Sequence, residues 1–381
     1  MSVLAKLANT KLARETGFGH FMHDSYQFLT QSYRYLFTYK YSRWGLGNRI
    51  ELVYKELYRI TKKYPYNIGV EISSTCPLNC EFCILKELKT YKKRKKIHMG
   101  FKEFKHIVNE LSGFCNLLQL SGGEPILNND IFRMLKYAHS KNIPVLLASN
   151  AVLLTKEKSD KLLDNPPFGI LISYESPDKK TYEKIRKNAK YDTFMDNIKY
   201  LINEKKRRKQ FYPIITLQMV LTKQNMKQKN TYHKSVSELG ADFSSIKALG
   251  VWPEGSDTYK KKMEEHYVID KRKTRISRHE LDKNGKLKDV QIKKGMCPGT
   301  QMLYIGSGGE ILPCFYVVAN AVSQGNVLES NFKTIWDSNS YKKFRKKMYN
   351  GKAYKNYCNQ CIGIGAVSEL QKVKLMDGET E

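Results

Sequence analysis

The chain has 381 residues, 41% of them hydrophobic and 12% aromatic, which suffices for a buried core and excludes wholesale disorder. Its 66 Lys and Arg residues against 37 acidic residues give a net charge of +29, but the lysines are spread over every segment; we therefore interpret the charge as a solvated surface and do not expect nucleic acid as a partner. No apolar run of about 18 residues and no signal-peptide pattern occur, so we expect no transmembrane segment, no secretion and a cytoplasmic location.

Residues 1–65 interleave aromatic with basic side chains, most densely over residues 32–44. Such a stretch could stack on bases, lie on an anionic membrane surface or grip a peptide. We favour a helix that packs across the domain that follows.

Residues 66–250 alternate strand-like apolar runs with stretches of helical spacing. The runs lie at 68–73, 117–120, 144–148, 168–173, 214–221 and 243–248. Six strand–helix units in series predict an α/β fold with parallel strands and helical crossovers. In such sheets ligands bind at the carboxyl ends of the strands.

The cysteines cluster in the way that presents thiolates to a metal centre, because ligands on a tight loop converge at little entropic cost. Three fall in Cys76-Pro-Leu-Asn-Cys80-Glu-Phe-Cys83, directly after the first run. Zinc sites usually have four ligands. A four-iron cluster held by only three cysteines would keep one iron open to a non-protein ligand. The isolated Cys115 lies in an apolar stretch, and we interpret it as a buried core thiol.

A second motif, Ser121-Gly-Gly-Glu-Pro125, follows the second run. Together the two motifs resemble those of the radical S-adenosylmethionine enzymes over residues 66–250. The resemblance implies a partial (β/α)6 barrel and a 4Fe-4S cluster. In it, Cys76, Cys80 and Cys83 would bind three irons, and S-adenosylmethionine would chelate the fourth.

The same resemblance implies cofactor contacts at the strand ends. Gly122 and Gly123 would let the backbone approach a ligand, and Glu124 would accept a hydrogen bond from the methionyl ammonium. The backbone of Phe82 would lie near the adenine. The other expected contacts are Ser149 and Asn150 after the third run, Ser173 and Glu175 after the fourth, and Arg186, whose guanidinium would pair with the methionyl carboxylate. Relatives often have Ser-x-Asp-Gly where this chain has Ser173-Tyr-Glu-Ser176, which leaves the role of Glu175 open.

Residues 251–295 are charged and read as a linker with a hairpin turn at Asn284-Gly285. Residues 296–365 hold four more cysteines around a Met302–Cys314 hairpin pattern and resemble a SPASM extension in its shorter twitch form. The resemblance implies one auxiliary 4Fe-4S cluster, with structural zinc as the alternative. Its ligands would be Cys297, Cys314, Cys358 and Cys361. Residues 366–381 are expected to form a tail.

The function implied is that of a radical S-adenosylmethionine oxidoreductase with dehydrogenase-like chemistry. A 5′-deoxyadenosyl radical would abstract a substrate hydrogen, and the auxiliary cluster would oxidise the substrate radical. We expect a small polyol, aminocyclitol or sugar-like substrate and an electron donor such as flavodoxin or ferredoxin. The alternatives are a maturase of a ribosomal peptide and, more remotely, a non-catalytic iron–sulfur protein that binds nucleic acid.

Overall fold

The computed structural model describes residues 36, 44–65, 67–83, 85, 98–250, 257–267, 282–284, 297, 302–314, 323–353, 358 and 368–372. The strands are β1 (Asn67–Ser73), β2 (Leu118–Gly122), β3 (Val145–Ser149), β4 (Gly169–Ser173), β5 (Ile214–Leu221), β6 (Phe243–Ala248), β7 (Met302–Ile305), β8 (Ile311–Leu312) and β9 (Ser368–Lys372). The helices are α1 (Leu46–Lys62), α2 (Phe101–Leu111), α3 (Ile131–Ser140), α4 (Lys156–Asp164), α5 (Lys179–Ile185), α6 (Tyr191–Arg207), α7 (Lys229–Leu239), α8 (Asp257–His266), α9 (Phe332–Asp337) and α10 (Asn339–Tyr349).

The sheet confirms the predicted α/β fold and partial (β/α)6 barrel. Strands β1 to β6 are parallel neighbours in chain order, and each corresponds to one of the six apolar runs. Parallel neighbours require a crossover between them, and the helices that follow the strands supply it. The carboxyl ends of the strands, where both motifs lie, therefore share one edge of the barrel.

The core lies between the sheet and the outer helices. On β1, Ile68, Val70 and Ile72 belong to this core and are at most 1% exposed. On α2, Phe104 and Leu111 are fully buried in the same core, together with the buried side chains between them. Burying each such side chain contributes about 1.5–3 kcal/mol, which fixes the strand ends on which the site is built.

The extension is joined to the barrel through the sheet itself. Strand β7 pairs in parallel with β1, from Asn67 with Met302 to Val70 with Ile305. Strand β8 folds back antiparallel to β7, as the hairpin pattern predicted. At the opposite edge β9, which falls in the expected tail, pairs antiparallel with β6. Among the described residues, strands assigned by sequence to core, extension and tail thus form one nine-stranded sheet.

Side chains also fasten the extension to the core. The Nε2 of His106 on α2 donates to the carbonyl of Val327 at 3.0 Å, and Glu110 accepts from the backbone N–H of Phe332 at 2.8 Å. The rings of Phe114 and Phe332 lie 5.1 Å apart, and Trp336 stacks on Phe332 at 5.7 Å. Packing against the core, rather than local sequence, therefore orders this part of the extension.

The linker expectation was wrong over residues 257–266, which form α8. Its buried residues are Tyr259, Met263 and, just past its end, Tyr267, at a spacing of four residues. That spacing is one face of a helix, and the surrounding charges obscured it. Residues 282–284 do form a turn, whereas the strands expected around it lie outside the described residues.

Most of the aromatic and basic segment, including nearly all of residues 32–44, lies outside the described residues. The part that follows is α1, which buries Leu52 and the Glu56–Arg59 ion pair. Trp44, 7% exposed, donates through Nε1 to Asn142 at 2.7 Å. Among the described residues, no helix is long and apolar enough to cross a membrane.

Candidate functional site

The three clustered cysteines lie on the loop that leaves β1. Cys76, Cys80 and Cys83 are all partly exposed, and the first two pack against the core. Burial is the main cause that raises the pKa of the Cys76 thiol to about 11, and the neighbouring Glu124, Cys80 and Cys83 contribute to this rise. Without a metal this thiol therefore stays protonated at neutral pH, and a bound iron would have to displace its proton.

Backbone hydrogen bonds hold the loop against the end of α5. The N–H of Asn79 donates to the carbonyl of Lys187 at 2.8 Å, and the N–H of Glu81 donates to Ile185 at 3.0 Å. The Glu81 carboxylate accepts from Gln224 Nε2 at 2.6 Å, in the loop after β5. The cysteine loop is thus tied to segments that follow β4 and β5.

The two glycines of the Gly-Gly-Glu segment are required by a close approach of backbone to backbone. A Cβ on Gly122, whose φ is +127°, would lie 2.2 Å from the carbonyl oxygen of Ser73, and one on Gly123 would lie 2.0 Å from that of Thr75. Their closeness lets Gly123 and Glu124 donate backbone hydrogen bonds to Ser73 and Thr75 at 2.6 and 2.8 Å. The glycines therefore lock the Gly-Gly-Glu segment to the start of the cysteine loop, and the ligand approach that we expected of them stays a prediction.

Glu124 is fully buried, and its carboxylate already accepts three hydrogen bonds from the chain. One oxygen accepts from the backbone of Ile126 at 3.1 Å and from Ser149 Oγ at 2.8 Å. The other accepts from the backbone of Asn150 at 2.7 Å. Burial raises the pKa of this carboxyl, while the hydrogen bonds act in the opposite direction. Glu124 thus joins the end of β2 to the end of β3.

Two buried side chains donate towards the cysteine sulfurs. Asn150 Nδ2 lies 3.4 Å from Cys76 Sγ, and Arg186 Nη1 lies 3.4 Å from Cys80 Sγ. The other terminal nitrogen of Arg186 forms an ion pair with Glu175 at 2.5 Å. The sequence predicted Asn150, Glu175 and Arg186 as site residues, and the structure brings all three to the cysteine loop.

Glu175, whose role the sequence left open, is fixed from two sides. Its second oxygen accepts from the backbone N–H of Val220 at 2.7 Å, and its carbonyl accepts from Asn225 Nδ2 at 2.9 Å. Glu175 is fully buried. Because both its backbone and its carboxylate are held, it presents its remaining oxygen to Arg186 in one orientation.

The other two expected contacts also lie at this edge. The carbonyl of Phe82 accepts from the hydroxyl of Tyr259 on α8 at 3.5 Å. Ser173 ends β4 opposite Gln218 of β5, which donates to Ser245 of β6 at 3.2 Å. Polar residues of three neighbouring strands therefore lie in register beside one another.

Sequence reasoning missed Gln224, Asn225 and Tyr259 as residues that support the site. Gln224 and Asn225 follow β5, where the rule that ligands bind at strand ends would have directed attention to them. The four-residue spacing of Tyr259 and Met263 was the available signal for α8.

The second cysteine group is described only in part. Cys297 and Cys314 are partly exposed and Cys358 is 6% exposed, whereas Cys361 lies outside the described residues. Cys314 lies close enough to Tyr341 of α10 to contribute to raising the pKa of its hydroxyl, although burial is the main cause. The fully buried Tyr341 thus places Cys314 beside the aromatic packing of α9 and α10.

The first cysteine loop fits an iron–sulfur cluster. Thiolates are the usual ligands of such clusters, and hydrogen bonds to their sulfurs tune them. Asn150 and Arg186 are buried donors directed at two of the three sulfurs, an arrangement suited to thiolates that carry negative charge. Within the described part of the chain, no three His, Cys, Asp or Glu side chains converge on a site for a single metal ion.

Two family profiles match the chain. That of the radical SAM superfamily matches residues 70–234, and that of the iron–sulfur cluster-binding SPASM domain matches residues 297–362.

Known proteins match most of the chain. It is 24% identical over 332 residues to the AdoMet-dependent heme synthase of Methanosarcina barkeri, which covers 78% of this chain and 91% of that protein. It is 20% identical over 292 residues to the mycofactocin maturase MftC of Mycobacterium tuberculosis, covering 72% and 71%. The structure of Streptococcus suis SuiB bound to the precursor peptide SuiA superposes with a TM-score of 0.57 at 17% identity, over 83% of this chain and 79% of that one. At this identity the structural likeness shows a shared fold.

Proposed function

We propose that this chain, which belongs to the radical S-adenosylmethionine superfamily, catalyses hydrogen abstraction from a peptide and the net oxidation of that peptide. The chain carries a SPASM domain, and its cofactors are S-adenosylmethionine and iron–sulfur clusters. When bound, S-adenosylmethionine and the reduced first cluster supply a 5′-deoxyadenosyl radical. The observation that carries the proposal is that the Gly-Gly-Glu segment is hydrogen-bonded to Ser73 and Thr75, directly before the cysteine loop, at the carboxyl ends of β1 and β2.

In this proposal the chain's own residues hold the first cluster and orient the cofactor. Cys76, Cys80 and Cys83 hold the first cluster. The Glu124 carboxylate keeps the backbone of Asn150 in place at the end of β3, so that a cofactor at the strand ends meets a prearranged surface. The remaining proposed contacts are Phe82, Gly122, Gly123, Ser149, Ser173 and Glu175.

The extension would hold the auxiliary cluster through Cys297, Cys314, Cys358 and Cys361. With four thiolates and no open iron, that cluster would receive an electron from the substrate radical without binding the substrate. An external donor such as flavodoxin or ferredoxin would supply the electron that the first cluster needs.

A peptide is the substrate class with the better support. MftC is named a maturase, and SuiB was solved with a precursor peptide. The small polyol, aminocyclitol or sugar-like substrate expected from the sequence has no support among the relatives described above. The relative from Methanosarcina barkeri is named a heme synthase, which supports a non-peptide substrate as the alternative.

The test is an anaerobic assay of the reconstituted protein with dithionite and S-adenosylmethionine. We expect 5′-deoxyadenosine and methionine to form. Absence of 5′-deoxyadenosine from protein with a fully loaded first cluster would overturn the proposal and leave a non-catalytic iron–sulfur protein.

A second assay tests the substrate and the auxiliary cluster. Candidate peptides encoded beside the gene are incubated with the enzyme, and the product is examined by mass spectrometry for loss of two hydrogen atoms. A folded Cys358→Ala variant should still cleave S-adenosylmethionine but should lose this oxidised product. Normal product formation without the second cluster would show that the extension is a structural lid.

A further inference from the structure

Arg186 faces the first cysteine loop, although its residue type and position had suggested a partner on S-adenosylmethionine. Its side chain is buried, with Nη1 on Cys80 Sγ and Nη2 on Glu175. Its Nε is also buried and has no hydrogen-bond partner among the described residues. Two of its three nitrogens are therefore committed to the protein, and the third is enclosed next to them.

We infer that Arg186 is a positioning residue that raises the reduction potential of the first cluster by donating to Cys80, with Glu175 holding it in place. The inference rests on the proposed function, because it requires a cluster on Cys76, Cys80 and Cys83. It differs from the expected contact with the methionyl carboxylate, for which a guanidinium needs its paired donors free.

The geometry of the ion pair makes the arrangement rigid. The Glu175 side chain is 1% exposed, and its other oxygen is occupied by the backbone of Val220. A guanidinium is planar, so fixing Nη2 on this carboxylate also fixes the direction in which Nη1 points. Burying the Arg186 charge alone would be costly, and Glu175 offsets that cost while leaving Nη1 for the sulfur.

The electrostatic consequence follows from the charge of the cluster. Reduction adds one negative charge, so a cationic donor on a ligating sulfur stabilises the reduced state more than the oxidised state. Asn150 donates to Cys76 in the same sense but without a charge. Because the cluster has to be reduced before it can act, Arg186 would make the electron easier to deliver.

The experiment is a redox titration of the whole reconstituted enzyme, with the first cluster identified by the change in its electron paramagnetic resonance spectrum on addition of S-adenosylmethionine. Arg186→Met removes the charge and the donors while keeping the volume. At a fixed potential we expect its ratio of reduced to oxidised first cluster to fall about tenfold, as for the loss of one charge-assisted hydrogen bond. The dissociation constant of S-adenosylmethionine should stay within about twofold, below the cost of a lost bond.

Arg186→Lys keeps the charge but lacks the fork, so its potential should lie between those of the Met variant and the unmodified enzyme. It also carries the test if the Met variant fails to load its cluster. Arg133→Met is the matched control, because Arg133 on α3 is 65% exposed and should leave the potential unchanged.

Weaker S-adenosylmethionine binding at an unchanged potential would overturn the inference and assign Arg186 to the cofactor carboxylate. An unchanged potential with unchanged binding would overturn it as well. If the unmodified, cluster-loaded enzyme shows no spectral response to S-adenosylmethionine, the proposed function itself fails, which distinguishes the two failures.

Discussion

The two cysteine groups are supported by different kinds of structure. The first loop lies at the ends of adjacent strands, where buried hydrogen bonds join Gly123, Glu124 and Asn150 to it or to one another. The second group is spread along the sequence from Cys297 to Cys361, and the described part of its surroundings is ordered by aromatic packing against the core. The difference teaches that the barrel prearranges the first site, whereas the second depends on the docking of the extension and on its own metal.

The largest effect should come from removing the first group. Replacing Cys76, Cys80 and Cys83 together with alanine should remove about half of the iron, since each four-iron cluster contributes equally. Cleavage of S-adenosylmethionine should be abolished, while the extension keeps its cluster. Iron analysis and 5′-deoxyadenosine formation measure the two outcomes.

Cys115→Ala is the control for that variant, because Cys115 is a buried core thiol, as the sequence predicted, at 1% exposure. It should retain both iron and cleavage. If the triple variant still cleaved S-adenosylmethionine, the assignment of this reaction to the first cysteine group would be wrong.

Trp336→Ala should break the second site and spare the first. Trp336 is 1% exposed, packs on Phe332 and Tyr341, and lies 4.0 Å below the Arg345 guanidinium. Truncating such a residue costs about 3–5 kcal/mol. We expect a lower melting temperature and loss of the auxiliary cluster, with 5′-deoxyadenosine formation retained.

Trp44→Ala is the matched control for this prediction, since Trp44 is buried by Phe168 and Tyr212 in a separate cluster. It should lower the melting temperature while both clusters remain. Equal loss of iron from the two variants would mean that general destabilisation, rather than docking of the extension, governs the second site.

Glu124→Gln should weaken the first site from within. An amide nitrogen would face the Asn150 N–H in place of an acceptor, and an unsatisfied buried group costs about 1–3 kcal/mol. We expect weaker S-adenosylmethionine binding, measured by titration, with the first cluster still present. Glu157→Gln on the surface of α4 is the control, and unchanged affinity in the Glu124 variant would contradict the assignment.

The same variant should alter the pH dependence of stability. Burial raises the pKa of Glu124, so the folded protein retains its proton at a pH where the unfolded chain has lost it. The free energy of unfolding should therefore fall as the pH rises from about 4.3 towards the raised value. Glu124→Gln should lack this component, which denaturant titrations across that range would detect.

The smallest effect should come from Tyr259→Phe. Its hydroxyl donates to the Phe82 carbonyl at 3.5 Å, and such a hydrogen bond contributes at most about 0.5–1.5 kcal/mol. We expect a small decrease in stability and faster loss of the first cluster in air, followed by its absorbance. Tyr54→Phe on the exposed face of α1 should change neither property. Identical behaviour of the two variants would show that Tyr259 of α8 does not stabilise the cysteine loop.

Much of the fold and part of the site could be predicted from the sequence. The six parallel strands follow from local apolar runs. The Cys76–Cys83 and Gly-Gly-Glu motifs are each contiguous in the sequence, so their chemistry can be recognised from the sequence alone. The hydrogen bonds of Glu124 with Ser149 and Asn150, and that of Arg186 with Cys80, were not predictable, because they join segments that are distant in the chain. The helix α8 was missed because its apolar positions are few among many charges.

The sequence by itself determined the fold class, the positions of the strands and the residues that could bind iron, since periodicity and motif spacing are local properties. Only the tertiary structure decided that β7 joins β1 and that β9 joins β6, because pairing depends on which edges of the barrel are free. It also decided that Gly122 and Gly123 accommodate neighbouring backbone and that Arg186 donates to Cys80. Folding brings strand ends that are distant in the chain to one edge of the barrel and excludes water from them. Each buried polar group there needs a hydrogen-bond partner, and only the tertiary structure decides which group that partner is.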